Sequence, residues 1–491
     1  MTAPVDLDGG PLSIAELVRA ARGGAEVRLT AAAAGRVERA HARLRELCAS
    51  GTPIYGVTTG VGALERDRPG AGPSEEKRQR ALLRSHAAGV GAPMADDEVR
   101  AMMLARANTL AKGMSGVSPA TLDRLLALVA RGVTPVVPEL GSVGASDLAP
   151  LAHVGLALVG EGRARHDGSE LPAAEALARA GLAPARLTGR DGLALVNGLA
   201  QSAALGALAA HDALSLIELG EATAAMTLSA LGAPRDFLDE RLAEAKGQSG
   251  QKDSARAMRR LLGDDIRRPA GGPLRAPLSL RYAPQVTGAA RSALAFATAV
   301  VEAELGAAAD NPLLLDDGSL CSNSATTGGQ ELAQALDLLA AAIVSLAVAS
   351  ERRAAALLDG SVLPLALRHP RARAGVDSGL LIAQYTAAAL VAELRVRGGA
   401  AGAHSIPTCP GEDHVSMSAL AARQARLAVE RARTVVAIEL LCACQGVDVA
   451  GAALSPPLAL LHARVRARVP VWIEDRFLAD DITGTLAALW P

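Results

Sequence analysis

The sequence predicts a mostly α-helical protein, and three observations carry that reading. Helix formers such as Ala, Leu and Arg fill most of its 491 residues, half of which are apolar. Aromatic residues make up only 2% of the chain, and no β-branched alternation of the kind that marks sheets is present. The long uncharged runs 192–210 and 378–392 read as helices buried on all sides inside a large bundle or an oligomer. The first is broken by Asn197, Gln201 and Ser202. The second is shorter than the roughly 20 apolar residues of a membrane span.

Taken in order, residues 13–22 and 31–47 read as two helices, the second laced with Arg and Glu. A glycine-rich loop follows, Tyr55-Gly56-Val57-Thr58-Thr59-Gly60-Val61-Gly62. It is either a plain surface loop or a mobile lid. It is not a phosphate loop, since no Lys-Ser/Thr follows it and no strand precedes it. Residues 75–135 look helical and carry His86, and a lone histidine is more often a satisfied core or interface group than a functional one.

Next comes the stretch around which the chain is best organised, Gly141-Ser142-Val143-Gly144-Ala145-Ser146-Asp147-Leu148-Ala149-Pro150. It sits directly ahead of a helix start, with Asp147 placed to cap and Pro150 in the first turn. Taken alone it reads as an ordinary Gly/Ser turn. Residues 163–190 are polar, rich in Pro and Gly, and read as a surface excursion. From Asp191 onward long helical patterns take over, interrupted at 247–251 and 269–277. No repeat of fixed period is present.

A formal net charge of −1 gives no pull toward nucleic acid or a membrane surface. Five cysteines scattered along the chain do not make a disulfide framework. Cys442 and Cys444 lack a second pair to complete a zinc site, and read as buried reduced thiols of a cytoplasmic protein. The N-terminus shows no basic and apolar pattern of a signal peptide. No metal or nucleotide is expected.

Several blocks, in one order, resemble the histidine and aromatic amino-acid ammonia-lyase family, closest to its histidine branch. They are YGVTTGVG at 55–62, SHAAGVG at 85–91, GVTPVVPELGSVGAS at 132–146 and DLAPLAH at 147–153. GLALVNG at 192–198, SLRYAPQ at 279–285, DNPL at 310–313, SERR at 350–353, EDHVSM at 412–417 and CQGVD at 444–448 continue the series. The resemblance implies an all-α fold, with an N-terminal region 1–200 carrying a prosthetic-group loop and a helical bundle over 201–491. It also implies a homotetramer whose active sites each draw on three subunits. Bundled helices there aim their N-termini at one point, a field suited to anionic chemistry.

In that family an Ala-Ser-Gly tripeptide cyclises, losing water, to the electrophilic methylidene-imidazolone (MIO). The resemblance implies that MIO forms here from Ala145, Ser146 and Asp147. By the same likeness Tyr55 is the base that takes the β-proton, and Asn197 hydrogen-bonds the prosthetic group. Arg281 holds the substrate carboxylate, which a guanidinium grips through both oxygens. His86 and Glu412 read the substrate's ring, and the sequence Glu412-Asp413-His414 points to histidine or a similar polar-ring amino acid.

The chain departs from the family at this centre. Asp147 stands where the family has glycine, at a bend too tight to welcome a Cβ. Leu278 replaces a tyrosine, Arg275 a glutamine, Thr58 an asparagine, and Thr326-Thr327-Gly328 an Asn-Phe-His block. A literal Ala49-Ser50-Gly51 lies in the wrong block. Three readings follow: an ammonia-lyase or aminomutase, an MIO-free enzyme doing acid–base elimination, addition or isomerisation on a carboxylate substrate, or a non-catalytic relative.

Overall fold

A computed structural model describes residues 3–68, 74–263, 275–397, 399–408 and 412–490. Helices dominate it, as the composition predicts, and the strands are two to four residues long. Two compact units emerge, each built from three pieces of chain. The first comprises Met1–His211, Ala297–Asp337 and Ala400–Arg423, and the second Asp212–Phe296, Leu338–Gly399 and Gln424–Pro491. A single division at 200/201 is therefore not what the contacts give. The helices Ala200–Ala230, Ala283–Leu305, Gln330–Leu358 and Ser418–Ala450 each run past a unit boundary.

In the first unit, local capping chemistry starts the helices. Ser13 caps Ile14–Ala21 in a reciprocal box with Glu16, Thr30 caps Ala31–Ala49, and Ser118 precedes Pro119 at the start of Pro119–Ala130. The Ala49-Ser50-Gly51 tripeptide is the end of the second of these helices, with Gly51 at φ +80. Asp96–Ala111 is buried along most of its length, and its Arg106 is satisfied by carbonyls of Ala194 and Ala309 and by Asp310. Arg190 reaches the same carboxylate at 2.7 Å, so one buried anion holds two buried cations.

Residues 163–190, read as a surface excursion, are mostly exposed or part-exposed and carry regular structure of their own. Arg163–His166 and Ser169–Pro172 form a hairpin, and Ala173–Arg179 is a helix. The turn is Asp167-Gly168, both at positive φ, the conformation whose twist matches paired strands.

In the second unit, Gly250 and Gly288 let the helices Ser249–Leu262 and Ala283–Leu305 meet backbone to backbone. A Cβ on Gly250 would lie 2.2 Å from the Gly288 carbonyl oxygen. Glu439 is closed to solvent and takes Arg353 at 2.6 and 2.8 Å, Ser350 at 2.7 Å and Thr227 at 2.8 Å. Burial pushes the Cys442 and Cys444 thiols up.

Of the two uncharged runs, 192–210 is buried throughout. The second is not. Its helix Leu381–Arg397 buries Ala383, Ala387, Val391 and Leu394, one stripe, and leaves Ile382 and Tyr385 more than half exposed. Among the described residues two helical stretches, Asp191–Ala230 and Gln330–Leu358, are long and apolar enough to cross a membrane by length and composition, and the apolar window of the first is wholly buried in protein.

Candidate functional site

The loop 141–150 is held by its own backbone and by three other pieces of the first unit. Gly144 sits at φ +78, and a Cβ there would lie 2.4 Å from Ser416 Oγ and 2.6 Å from the Ser418 nitrogen. Only glycine fits so tight a left-handed position. Ser416 Oγ donates to the Gly144 carbonyl at 2.6 Å, and the Met417 N–H donates to Val143 O at 2.8 Å. Ala145 forms an isolated antiparallel bridge with Gly328, and the Ser146 N–H donates to Thr327 O at 3.1 Å. The Thr326-Thr327-Gly328 block thus supports the loop through its backbone.

Ser146 is buried, at φ +63, an uncommon conformation for a residue with a Cβ. Its hydroxyl donates to Asn197 Oδ1 at 2.5 Å. Asn197 Nδ2 in turn donates to Asn311 O at 2.6 Å, which fixes the amide's orientation. Asn197 therefore touches the serine that the resemblance pairs it with.

Asp147 stands at the N-cap of the helix Leu148–Leu158, yet its side chain makes no capping bond. This corrects the expectation of an aspartate cap. The carboxylate is drawn instead toward Ser142 Oγ at 2.6 Å, the Ser202 N–H at 2.8 Å and Ser202 Oγ at 3.1 Å. Ser202 continues to Ser418 at 2.9 Å. Burial pushes the Asp147 carboxyl above its ordinary value, against the hydrogen bonds from Ser142, Ser202 and Gln201. Its backbone N–H donates to Gly198 O at 2.7 Å. Glu304 feels the Asp147 charge, and burial first, then that charge, push it up to about 8.

Residues 145–147 do not fit the MIO group. Residue 147 would have to supply the ring nitrogen, but its N–H is spent on Gly198 and its side chain is anchored at Ser142 and Ser202. Among the described residues no cluster of His, Cys, Asp and Glu could hold a metal ion.

The other expected residues are less gathered. Tyr55 is half-buried in its loop, its hydroxyl accepting from the Gly62 N–H at 2.7 Å. His86 ends the helix Glu75–His86, with Nδ1 2.9 Å from Leu82 O and 3.0 Å from Ser85 Oγ. Glu412 is half-buried and accepts through its backbone carbonyl from the Thr408 N–H at 3.1 Å. Arg281 belongs to the second unit, in the short helix Leu278–Arg281, where its Nε donates to Ala276 O at 2.8 Å. Leu278 on that helix is half exposed. The structure joins Ala145, Ser146, Asp147 and Asn197, and adds Ser142, Ser202, Ser416, Ser418 and Glu304, none of which sequence reasoning singled out as site residues.

The aromatic amino acid lyase family model matches residues 12–467. The chain is 44% identical to a histidine ammonia-lyase of Symbiobacterium thermophilum, over 96% of this chain and 94% of that one. Its fold resembles the crystal structure of histidine ammonia-lyase from Trypanosoma cruzi, with a TM-score of 0.91 at 34% identity, covering 99% of this chain and 93% of that one. It equally resembles tyrosine aminomutase from Streptomyces globisporus, with a TM-score of 0.92 at 36% identity and coverage of 99% and 97%. The ordered blocks and the helical fold agree with these likenesses, and the chain belongs to the aromatic amino acid lyase family.

Proposed function

We propose that the chain is a carbon–nitrogen lyase that eliminates ammonia from histidine or an aromatic L-amino acid to give the α,β-unsaturated acid. What carries this reading is similarity to histidine ammonia-lyases along nearly the whole chain, and it takes Tyr55, His86, Asn197, Arg281 and Glu412 in the roles the sequence resemblance implies. Tyr55 takes the β-proton. The Gly62 N–H donates to its oxygen and holds the ring in place within the loop. Arg281 holds the carboxylate, His86 and Glu412 read the ring, and Asn197, fixed by Asn311, orients the loop. The proposal includes a homotetramer with shared sites, acting on a small molecule in the cytoplasm without nucleic acid or membrane. The exposed apolar residues of Leu381–Arg397 and the buried thiols support that setting.

A second reading is favoured by Asp147, whose N–H and carboxylate are both committed. On it Tyr55 and Arg281 serve acid–base elimination, addition or isomerisation of a carboxylate substrate without MIO. The test offers histidine, tyrosine and phenylalanine to the purified protein and measures ammonia together with the ultraviolet absorbance of the unsaturated acid. Release that disappears in Tyr55→Phe supports the lyase. No release from any of the three sends the search to other carboxylates.

A further inference from the structure

We propose that this chain keeps residues 145–147 as an unmodified Ala-Ser-Asp peptide, and that Asp147 is what holds it linear. The inference goes beyond the lyase reading and does not depend on which substrate the site takes.

The argument is atomic. Cyclisation forms a bond from the residue-147 nitrogen to the Ala145 carbonyl carbon. That carbonyl oxygen then leaves as water with two protons, one from the Asp147 N–H and one from the Ser146 N–H. A second water leaves when Ser146 loses its hydroxyl and its Cα proton. Three of the groups that must depart or give up a proton are bound elsewhere. The Asp147 N–H donates to Gly198 O at 2.7 Å, and the Ser146 N–H donates to Thr327 O at 3.1 Å. The Ser146 hydroxyl donates to Asn197 Oδ1 at 2.5 Å. Ala145, which carries the carbonyl under attack, is paired with Gly328.

Asp147 adds the decisive constraint. Its carboxylate is fully buried between Ser142 and Ser202. Swinging its nitrogen onto Ala145 would pull that anchor out of the two serines and disturb the N-cap of the helix Leu148–Leu158, whose carbonyl accepts from the Leu151 N–H at 3.2 Å. A glycine placed between Ser146 and Asp147 would separate the two tasks. The new residue would supply a nitrogen with no Cβ, and the aspartate behind it would keep the anchor.

Intact-protein and tryptic-peptide masses decide the matter, read beside near-ultraviolet absorbance. Three chains are compared: the native one, one with Gly inserted between Ser146 and Asp147, and Asp147→Gly. Circular dichroism confirms that each is folded. A native mass equal to the encoded sequence, with a deficit of two water molecules in the insertion variant or in Asp147→Gly, supports the inference. A deficit of two waters in the native chain overturns it. A native chain without the deficit, and two folded variants also without it, overturns the assignment of the block to Asp147. Ammonia release is scored separately: an unmodified native chain that releases ammonia leaves both proposals standing, and one that releases none retires only the lyase reading.

Discussion

Asp147 and Asp310 are both closed to solvent within the first unit, but their settings are opposite. Asp310 faces two guanidiniums, Arg190 at 2.7 Å and Arg106 at 3.3 Å, each of which also donates to backbone carbonyls. Asp147 meets hydroxyls and backbone N–H groups, and its charge helps push another acid, Glu304, up. A paired buried charge fixes distant pieces of chain, here residues more than a hundred positions apart. A buried carboxyl without a cation is pushed toward its neutral form, a condition found more often at chemical sites than in scaffolds. The comparison separates the frame from the centre it holds.

The largest test is Asp310→Asn. It strands two buried cations, and about 3–5 kcal/mol of stability should be lost in urea unfolding. A loss under about 1 kcal/mol would break the comparison from the scaffold side. Next is the pH dependence contributed by Glu304. Its folded value, about 8, lies above the ordinary carboxyl value of 4.5, so the native protein binds more protons between the two. The stability it contributes is complete below about pH 4.5 and is lost as pH rises through about 8. The slope should reach roughly 1.4 kcal/mol per pH unit at its steepest, and Asp147, raised as well, adds to it with the same sign. Urea curves taken across that range should flatten in Glu304→Gln. An unchanged slope would remove Glu304 from the account.

Asp147→Asn should cost about 1–2 kcal/mol, because a neutral side chain of the same shape keeps most of the serine contacts. A cost matching that of Asp310→Asn would show that Asp147 is charged and compensated after all. Smallest is Ser418→Ala, which trims the end of the hydroxyl chain. Thermal unfolding should register about 0.5–1.5 kcal/mol.

The helical class was legible because helix formers and capping residues act locally: Ser13, Thr30 and Ser118 all cap where a reader would place them. The hairpin at 163–172 was hidden by its shortness, although Asp167-Gly168 carries a turn signal. Asp310 lies in a recognisable block, but nothing local says that it meets Arg106 across about 200 residues. Asp147 shows the limit most clearly. Its position ahead of a helix reads as a cap, and only the arrival of Ser202 and Ser142 turns the carboxylate elsewhere. The apolarity of 378–392 was legible, while its one-sided burial depends on what packs against it.

The hydroxyl line from Ser142 through Asp147 and Ser202 to Ser418 has one further property. A hydroxyl can either give or receive, and between Ser202 and Ser418 either oxygen can be the donor. Protonation or ionisation of the aspartate can therefore be answered by turning O–H bonds alone, with every heavy atom left in place. The loop would report a change of charge as a reversal of polarity along this wire, and hydrogen isotope exchange at those serines would follow the titration of a carboxyl that solvent never touches.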